Sequence, residues 1–61
     1  MKPMRLEDVL FSQGFGTRRV CAGLVQQGYV SVSGEVQEDP GTFVDPENLK
    51  FKVQGTEWPY F

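Results

Sequence analysis

Two adjacent arginines stand at the start of a predicted helix, where their chemistry suits an anion. Thr17 is a good N-cap residue, so Arg18 and Arg19 fall in the first helical turn. Cations there oppose the helix dipole, at a cost of about 0.3–1 kcal/mol each. The same turn has free backbone N–H groups, and guanidinium groups bind phosphate in bidentate fashion. The pair therefore predicts a phosphate-binding site; two solvated arginines, or a salt bridge to the acidic half of the chain, would explain it equally well.

The charges are unevenly distributed along the chain. The formal net charge of −2 argues weakly against a nucleic-acid partner, but the distribution matters more than the sum. Positions 1–28 hold four basic and two acidic residues, whereas positions 29–61 hold two basic and six acidic ones. A basic first half could therefore face an anionic partner, although surface charges also fall unevenly by chance.

The chain has few residues of the types that usually catalyse reactions or bind metal ions. The 61 residues include no histidine and one cysteine, so the commonest general base is missing and a zinc site cannot be built. Cys21 falls on a predicted apolar helix face and is expected to be a buried core residue. Gly14 and Gly16 lie between two helices and lack the strand context of a phosphate-binding loop. We therefore expect no enzyme activity, no cofactor, no metal and no small-molecule substrate.

Two short helices are predicted to position the arginines. Leu6, Val9 and Leu10 have the i, i+3, i+4 spacing of one helical face, and Pro3 suits a helix start. In the second helix the same spacing is shared by Cys21, Leu24 and Val25, and Gly28 is placed to end that helix. The second helix is too short to stand alone and must pack against other elements.

After Gly28 the apolar residues recur with the period of two that is typical of strands. Val30 and Val32 alternate with serines, a turn at Gly34 follows, and Val36 is expected to continue the apolar face. Positions 42–44 form a brief predicted strand. In the clearest strand, positions 49–53, Lys50 and Lys52 face water and could extend a basic surface. The predicted fold class is therefore α+β, with two short packed helices followed by a small antiparallel sheet.

The end of the chain is rich in aromatic residues, with Trp58, Tyr60 and Phe61 in its last four positions. These rings either fold back onto the sheet or mark the point where another element begins. We favour the second interpretation, which places one domain at 1–57 and the start of a linker or following domain at 58–61.

The ordered set of residues resembles the S-four-type RNA-binding domain, also called the αL motif. The family pattern is a leucine-bearing helix, then Ser/Thr-Arg, a helix that ends in Gly, and Val-x-Val-Asn-Gly. The matching residues are Arg5-Leu6, Leu10, Gly14-Phe15-Gly16-Thr17-Arg18-Arg19, Leu24-Val25, Gly28 and Val30-Ser31-Val32-Ser33-Gly34. The resemblance covers positions 5–53. The Met-Arg-Leu at its start, positions 4–6, is similar to the opening of the N-terminal domain of bacterial small-subunit rRNA pseudouridine synthases.

This resemblance implies an RNA-binding module that helps to dock a pseudouridine synthase catalytic domain on structured rRNA. The implied RNA-binding residues are Arg5, Thr17, Arg18, Arg19, Lys50 and Lys52. The family's catalytic Gly-Arg-Leu-Asp motif is absent from these 61 residues, so the chain is expected to be a non-catalytic domain. The positive charge of the surface is lower than in the family pattern at three positions, which hold Ala22, Gly23 and Glu35. This difference implies weak RNA binding.

Two other interpretations remain open at the level of sequence. The chain could be a free-standing ribosome-associated RNA-binding protein with the same fold. In a different class, it could be a protein–protein interaction module whose contact surface is the acidic half and the aromatic tail. The sequence shows no membrane segment or leader, and a cytoplasmic location is expected.

Overall fold

The computed structural model describes residues 3–47 and 49–60 and has an α+β architecture, which confirms the predicted fold class. The elements are β1 (Met4–Arg5), α1 (Leu6–Ser12), α2 (Arg18–Gln26), β2 (Val30–Val32), β3 (Glu35–Gln37), β4 (Phe43–Val44), β5 (Lys50–Val53) and β6 (Thr56–Pro59).

The strands form two antiparallel sheets. Four of them pair in the order β3-β2-β5-β6, and β1 pairs with β4 in a separate two-stranded ladder. The brief strand expected at positions 42–44 is thus present as β4, but it pairs with β1 ahead of the first helix. β1 and β6 have no counterpart in the sequence prediction, because β1 has only two residues and β6 shows no alternation of apolar and polar residues and ends in a proline.

One hydrophobic core joins the helices to the inner face of the larger sheet. Its buried members are Leu6, Val9, Leu10, Cys21, Val25, Val30, Leu49, Phe51 and Val53. They include all three residues of the face predicted for α1, two of the three predicted for α2 and the inward side of β5. Leu24, the third residue predicted for α2, is partly buried against the same core. The helices therefore cover one face of the sheet and leave its other face to solvent.

The prediction that Val36 continues the apolar face is wrong, because this side chain is 61% exposed. Ser33 and Gly34 form a two-residue turn with φ angles of 52° and 83°, the backbone of a type I′ hairpin. That turn places Val32 opposite Glu35 and Val36 opposite Ser31. Since neighbours across antiparallel strands share a face, Val36 lies on the solvent side with Ser31.

The aromatic tail contributes to the sheet. In β6 Trp58 is opposite Phe51, and its ring meets the ring of Phe15 edge-on at a centroid distance of 5.5 Å. The sheet therefore runs through Pro59 and crosses the boundary expected at position 57. That a linker or a further domain follows stays a prediction, and Phe61 lies outside the described residues.

Candidate nucleic-acid interface

The N-terminus of α2 is formed by the cap that the sequence predicts. Thr17 has an extended backbone, and its Oγ1 accepts a hydrogen bond from the backbone N–H of Val20 at 3.2 Å. The first turn of the helix holds Arg18 and Arg19 and no acidic residue. The positive pole of this helix thus carries two further positive charges, both on exposed residues.

Arg18 is held against α1 by two contacts. Its Nη1 donates a hydrogen bond to Asp8 Oδ1, and its guanidinium carbon lies 4.5 Å from the centroid of the Phe11 ring. Asp8 and Phe11 are three residues apart, so a single face of α1 supplies both the carboxylate and the ring. The side chain of Arg18 nevertheless remains 59% exposed.

Arg19 differs from its neighbour in having no such support. It forms no ion pair with any residue in the ranges 3–47 and 49–60. Successive residues of an α-helix point about 100° apart, which is why only one of the two arginines reaches α1. Of the two arginines, only Arg18 forms a salt bridge within the described residues. Its partner, Asp8, belongs to the basic first half of the chain and not to the acidic half that the sequence analysis considered.

Arg5 lies in β1, next to the first turn of α1. Its Nη2 is 3.7 Å from Glu7 Oε2, and a Cβ placed on Gly41 would lie only 3.1 Å from the same nitrogen. Both Arg5 and Arg18 thus pair with acidic residues of the first turn of α1. The structure therefore places the guanidinium groups of both arginines beside the same helical turn.

Lys50 and Lys52 lie elsewhere. They are exposed on β5, where they alternate with the buried Phe51 and Val53, and so occupy the face of the sheet turned away from the helices. A shallow groove on that outer face is lined by both lysines together with Ser31, Ser33 and Glu57. These lysines lie on the opposite face of the sheet from the helix that holds Arg18 and Arg19. Any RNA contact that the lysines make would therefore belong to a second surface.

The roles of Asp8 and Phe11 were missed at the level of sequence. In the sequence, Asp8 is explained by its favourable interaction with the dipole at the start of α1. Phe11 lies outside the apolar stripe of α1 and is 44% exposed. The available signal is their i, i+3 spacing on a helix that must pack against another one carrying an arginine. Which residue would face that arginine depends on the packing of α1 on α2.

Cys21 is buried in the core, as predicted. Burial raises the pKa of its thiol, an effect that the positive charge of Arg18 partly offsets and that Glu7 reinforces. The thiol lies 3.7 Å from the carbonyl oxygen of Gly16. In the part of the chain that the structure describes, no three His, Cys, Asp or Glu side chains are grouped so that they could hold a metal ion.

The geometry is thus a small α+β domain with exposed arginines at a helix N-terminus, and comparison with known proteins gives its family. A family model described as the S4 domain matches residues 4–49, well over half of the chain. The chain belongs to the S4 domain family. The S4 domain is an RNA-binding domain, and the matched range contains the capped helix, both of its arginines and Arg5.

Two curated relatives extend the comparison. This S4 domain is 32% identical over 57 residues to a protein of Bacillus subtilis named as an uncharacterised RNA pseudouridine synthase. It is 33% identical over 54 residues to a protein of Mycobacterium leprae with the same description. The alignments cover 93% and 88% of this chain but only 24% and 21% of those proteins. The chain therefore spans about a quarter or less of the length of the relatives it matches.

Over residues 3–47 and 49–60, neither helix of this S4 domain has the length and apolar character that crossing a bilayer requires.

Proposed function

We propose that this S4 domain binds structured rRNA and helps to dock a pseudouridine synthase catalytic domain on it in the cytoplasm. The observation that carries the proposal is the first turn of α2, where Arg19 is exposed and has no ion-pair partner among the described residues. An arginine in this state can bind a phosphate without first breaking a bond to the protein.

The surroundings of Arg19 support an anionic partner. The helix dipole and the backbone N–H groups of the first turn favour negative charge at this point. Arg18 and Arg5 add positive charge beside the first turn of α1, although each is partly offset by its acidic partner. Thr17 acts by fixing the start of the helix, and Lys50 and Lys52 would contact RNA only if it also reached the outer face of the sheet.

Recognition through phosphates is expected to depend on RNA shape rather than on sequence. Phosphate contacts position a protein on nucleic acid but carry no base information, and folded RNA is read largely by shape. The net charge of −2 limits the electrostatic attraction and predicts modest affinity for the isolated domain. A catalytic domain in the same protein would supply further contacts, which fits the greater length of the two relatives.

The test is binding of small-subunit rRNA fragments by the wild type and by Arg19→Ala across a series of salt concentrations. Loss of one phosphate contact should flatten the slope of log K against log salt by about 0.7–0.9. Gln26→Glu is the matched control, because it lowers the net charge equally at the other end of α2, about 10 Å along the helix from Arg19. Equal slopes for Arg19→Ala and the wild type would refute the proposed phosphate contact.

The docking part of the proposal has its own measurement. An antibody raised against this domain should detect, in a lysate of the source cells, a polypeptide several times heavier than 6.9 kDa. A band near 6.9 kDa alone would favour the free-standing RNA-binding protein instead.

A further inference from the structure

The two arginines of α2 differ in their protein contacts. Arg18 contacts Asp8 and Phe11, whereas Arg19 has no ion-pair partner among the described residues, and this difference suggests that they contact different parts of an RNA. We propose that Arg18 is a stacking platform for one unpaired base of the RNA, while Arg19 binds a neighbouring phosphate. This inference rests on the proposed function and deepens it, since it names the structural element of the RNA that the site takes: a bulged or otherwise unstacked nucleotide.

The pairing of Arg18 with Asp8 makes it a poor phosphate ligand. One of its N–H donors is used by the Asp8 carboxylate, so a phosphate that bound the remaining donors would still lie beside a negative charge. Arg19, with no acidic partner among the described residues, is the better anion site. The two consecutive arginines are therefore not equivalent phosphate ligands.

The same contacts make Arg18 a good planar surface. The Phe11 ring lies under the guanidinium at 4.5 Å, and Asp8 restrains it from the side, so the group is held in one orientation before RNA arrives. More than half of the side chain stays exposed, and among the described residues the contacts of its guanidinium are those with Asp8 and Phe11. Unstacked bases bind to arginine planes and aromatic rings through their π faces, an interaction that needs no net charge.

The experiment uses three versions of one RNA hairpin: with a single bulged adenosine, with an abasic site at the bulge, and fully paired. Arg18→Lys keeps the charge and can keep the Asp8 pair, but it removes the plane. The matched control is Arg19→Lys, which keeps a charge that a phosphate contact can use. Far-UV circular dichroism and urea unfolding show that each variant remains folded.

Stacking predicts a specific pattern. The wild type should bind the bulged RNA about 5-fold or more tighter than the abasic RNA, the lower limit that base stacking provides. Arg18→Lys should lose that preference with an unchanged salt slope, and Arg19→Lys should keep it. The fluorescence of a 2-aminopurine at the bulge should change when the wild type binds and far less when Arg18→Lys binds.

Two outcomes would overturn the proposal in distinguishable ways. If the wild type binds the bulged and abasic RNAs equally, while Arg19→Ala still flattens the salt slope, the stacking role fails and the proposed function stands. If the wild type binds none of the three hairpins and none of the rRNA fragments, the RNA-binding function fails and the stacking role fails with it.

Discussion

Arg18 in the first turn of α2 donates a hydrogen bond to Asp8 in the first turn of α1, so that an ion pair joins the N-terminal turns of both helices. Both residues lie at the positive pole of a helix dipole, which favours the negative charge of Asp8 and disfavours the positive charge of Arg18. The carboxylate of α1 thus supplies the negative charge that the first turn of α2 lacks. The unfavourable interaction of Arg18 with the helix dipole is thus partly offset by the Asp8 carboxylate. Arg19 has no ion-pair partner among the described residues, so its interaction with the dipole is not offset in this way.

This ion pair should contribute little to stability. A double-mutant cycle with Asp8→Ala and Arg18→Ala should give a coupling free energy of about 0.2–1 kcal/mol, because both partners are substantially solvated. Urea unfolding of the wild type, both single variants and the double variant provides the measurement. A control cycle between Asp8→Ala and Arg19→Ala should be additive within about 0.5 kcal/mol. A coupling well above 1 kcal/mol in the first cycle would contradict the weak contribution expected of a solvated pair.

The cap at Thr17 should matter more than its exposure suggests. Thr17→Ala removes the acceptor for the backbone N–H of Val20 and should lower the free energy of unfolding by about 1 kcal/mol. Thr17→Ser keeps a hydroxyl at the same place and serves as the control. Thermal unfolding followed by circular dichroism measures both, and an equal loss in the two variants would argue against the capping bond.

The hairpin turns offer a route to greater stability. Ser33 and Gln54 adopt positive φ angles of 52° and 51°, each directly before a glycine with positive φ. Asparagine tolerates this conformation better than serine or glutamine, so Ser33→Asn and Gln54→Asn should each raise the melting temperature. Gly34→Ala should instead cost about 1–2 kcal/mol, since a Cβ strains the left-handed backbone even though no neighbour would clash with it. A fall in melting temperature for both asparagine variants would contradict the type I′ assignment.

Cys21 should be slow to react in the folded protein. Its thiol is buried and its pKa is raised, so the reactive thiolate is scarce at neutral pH. Ellman's reagent should modify it slowly without denaturant and rapidly in urea. Because the pKa is higher in the folded than in the unfolded chain, the thiol's contribution to stability is full below the unfolded pKa and is lost as pH rises towards the folded value. Replacement by Ala should therefore flatten the alkaline decline in stability, and rapid labelling of the native protein would contradict its burial.

The sequence by itself determined the elements that have strong local signals. The i, i+3, i+4 spacing of Leu6, Val9 and Leu10 fixes the buried face of α1, and Thr17 and Gly28 mark the two ends of α2. The alternation of Leu49, Phe51 and Val53 with lysines fixes both faces of β5. These features depend on residues a few positions apart, where backbone geometry alone decides which side chains share a face.

Only the tertiary structure decided how distant positions meet. The exposure of Val36 follows from the hairpin register, and the pairing of β1 with β4 joins segments some 40 residues apart. The separation of Arg18 from Arg19 depends on the side of α2 that packs on α1, which brings Asp8 and Phe11 to one guanidinium and leaves the other to solvent. Spacing along the chain predicts that both arginines stand at the helix N-terminus, but packing between helices determines which of them has a protein partner.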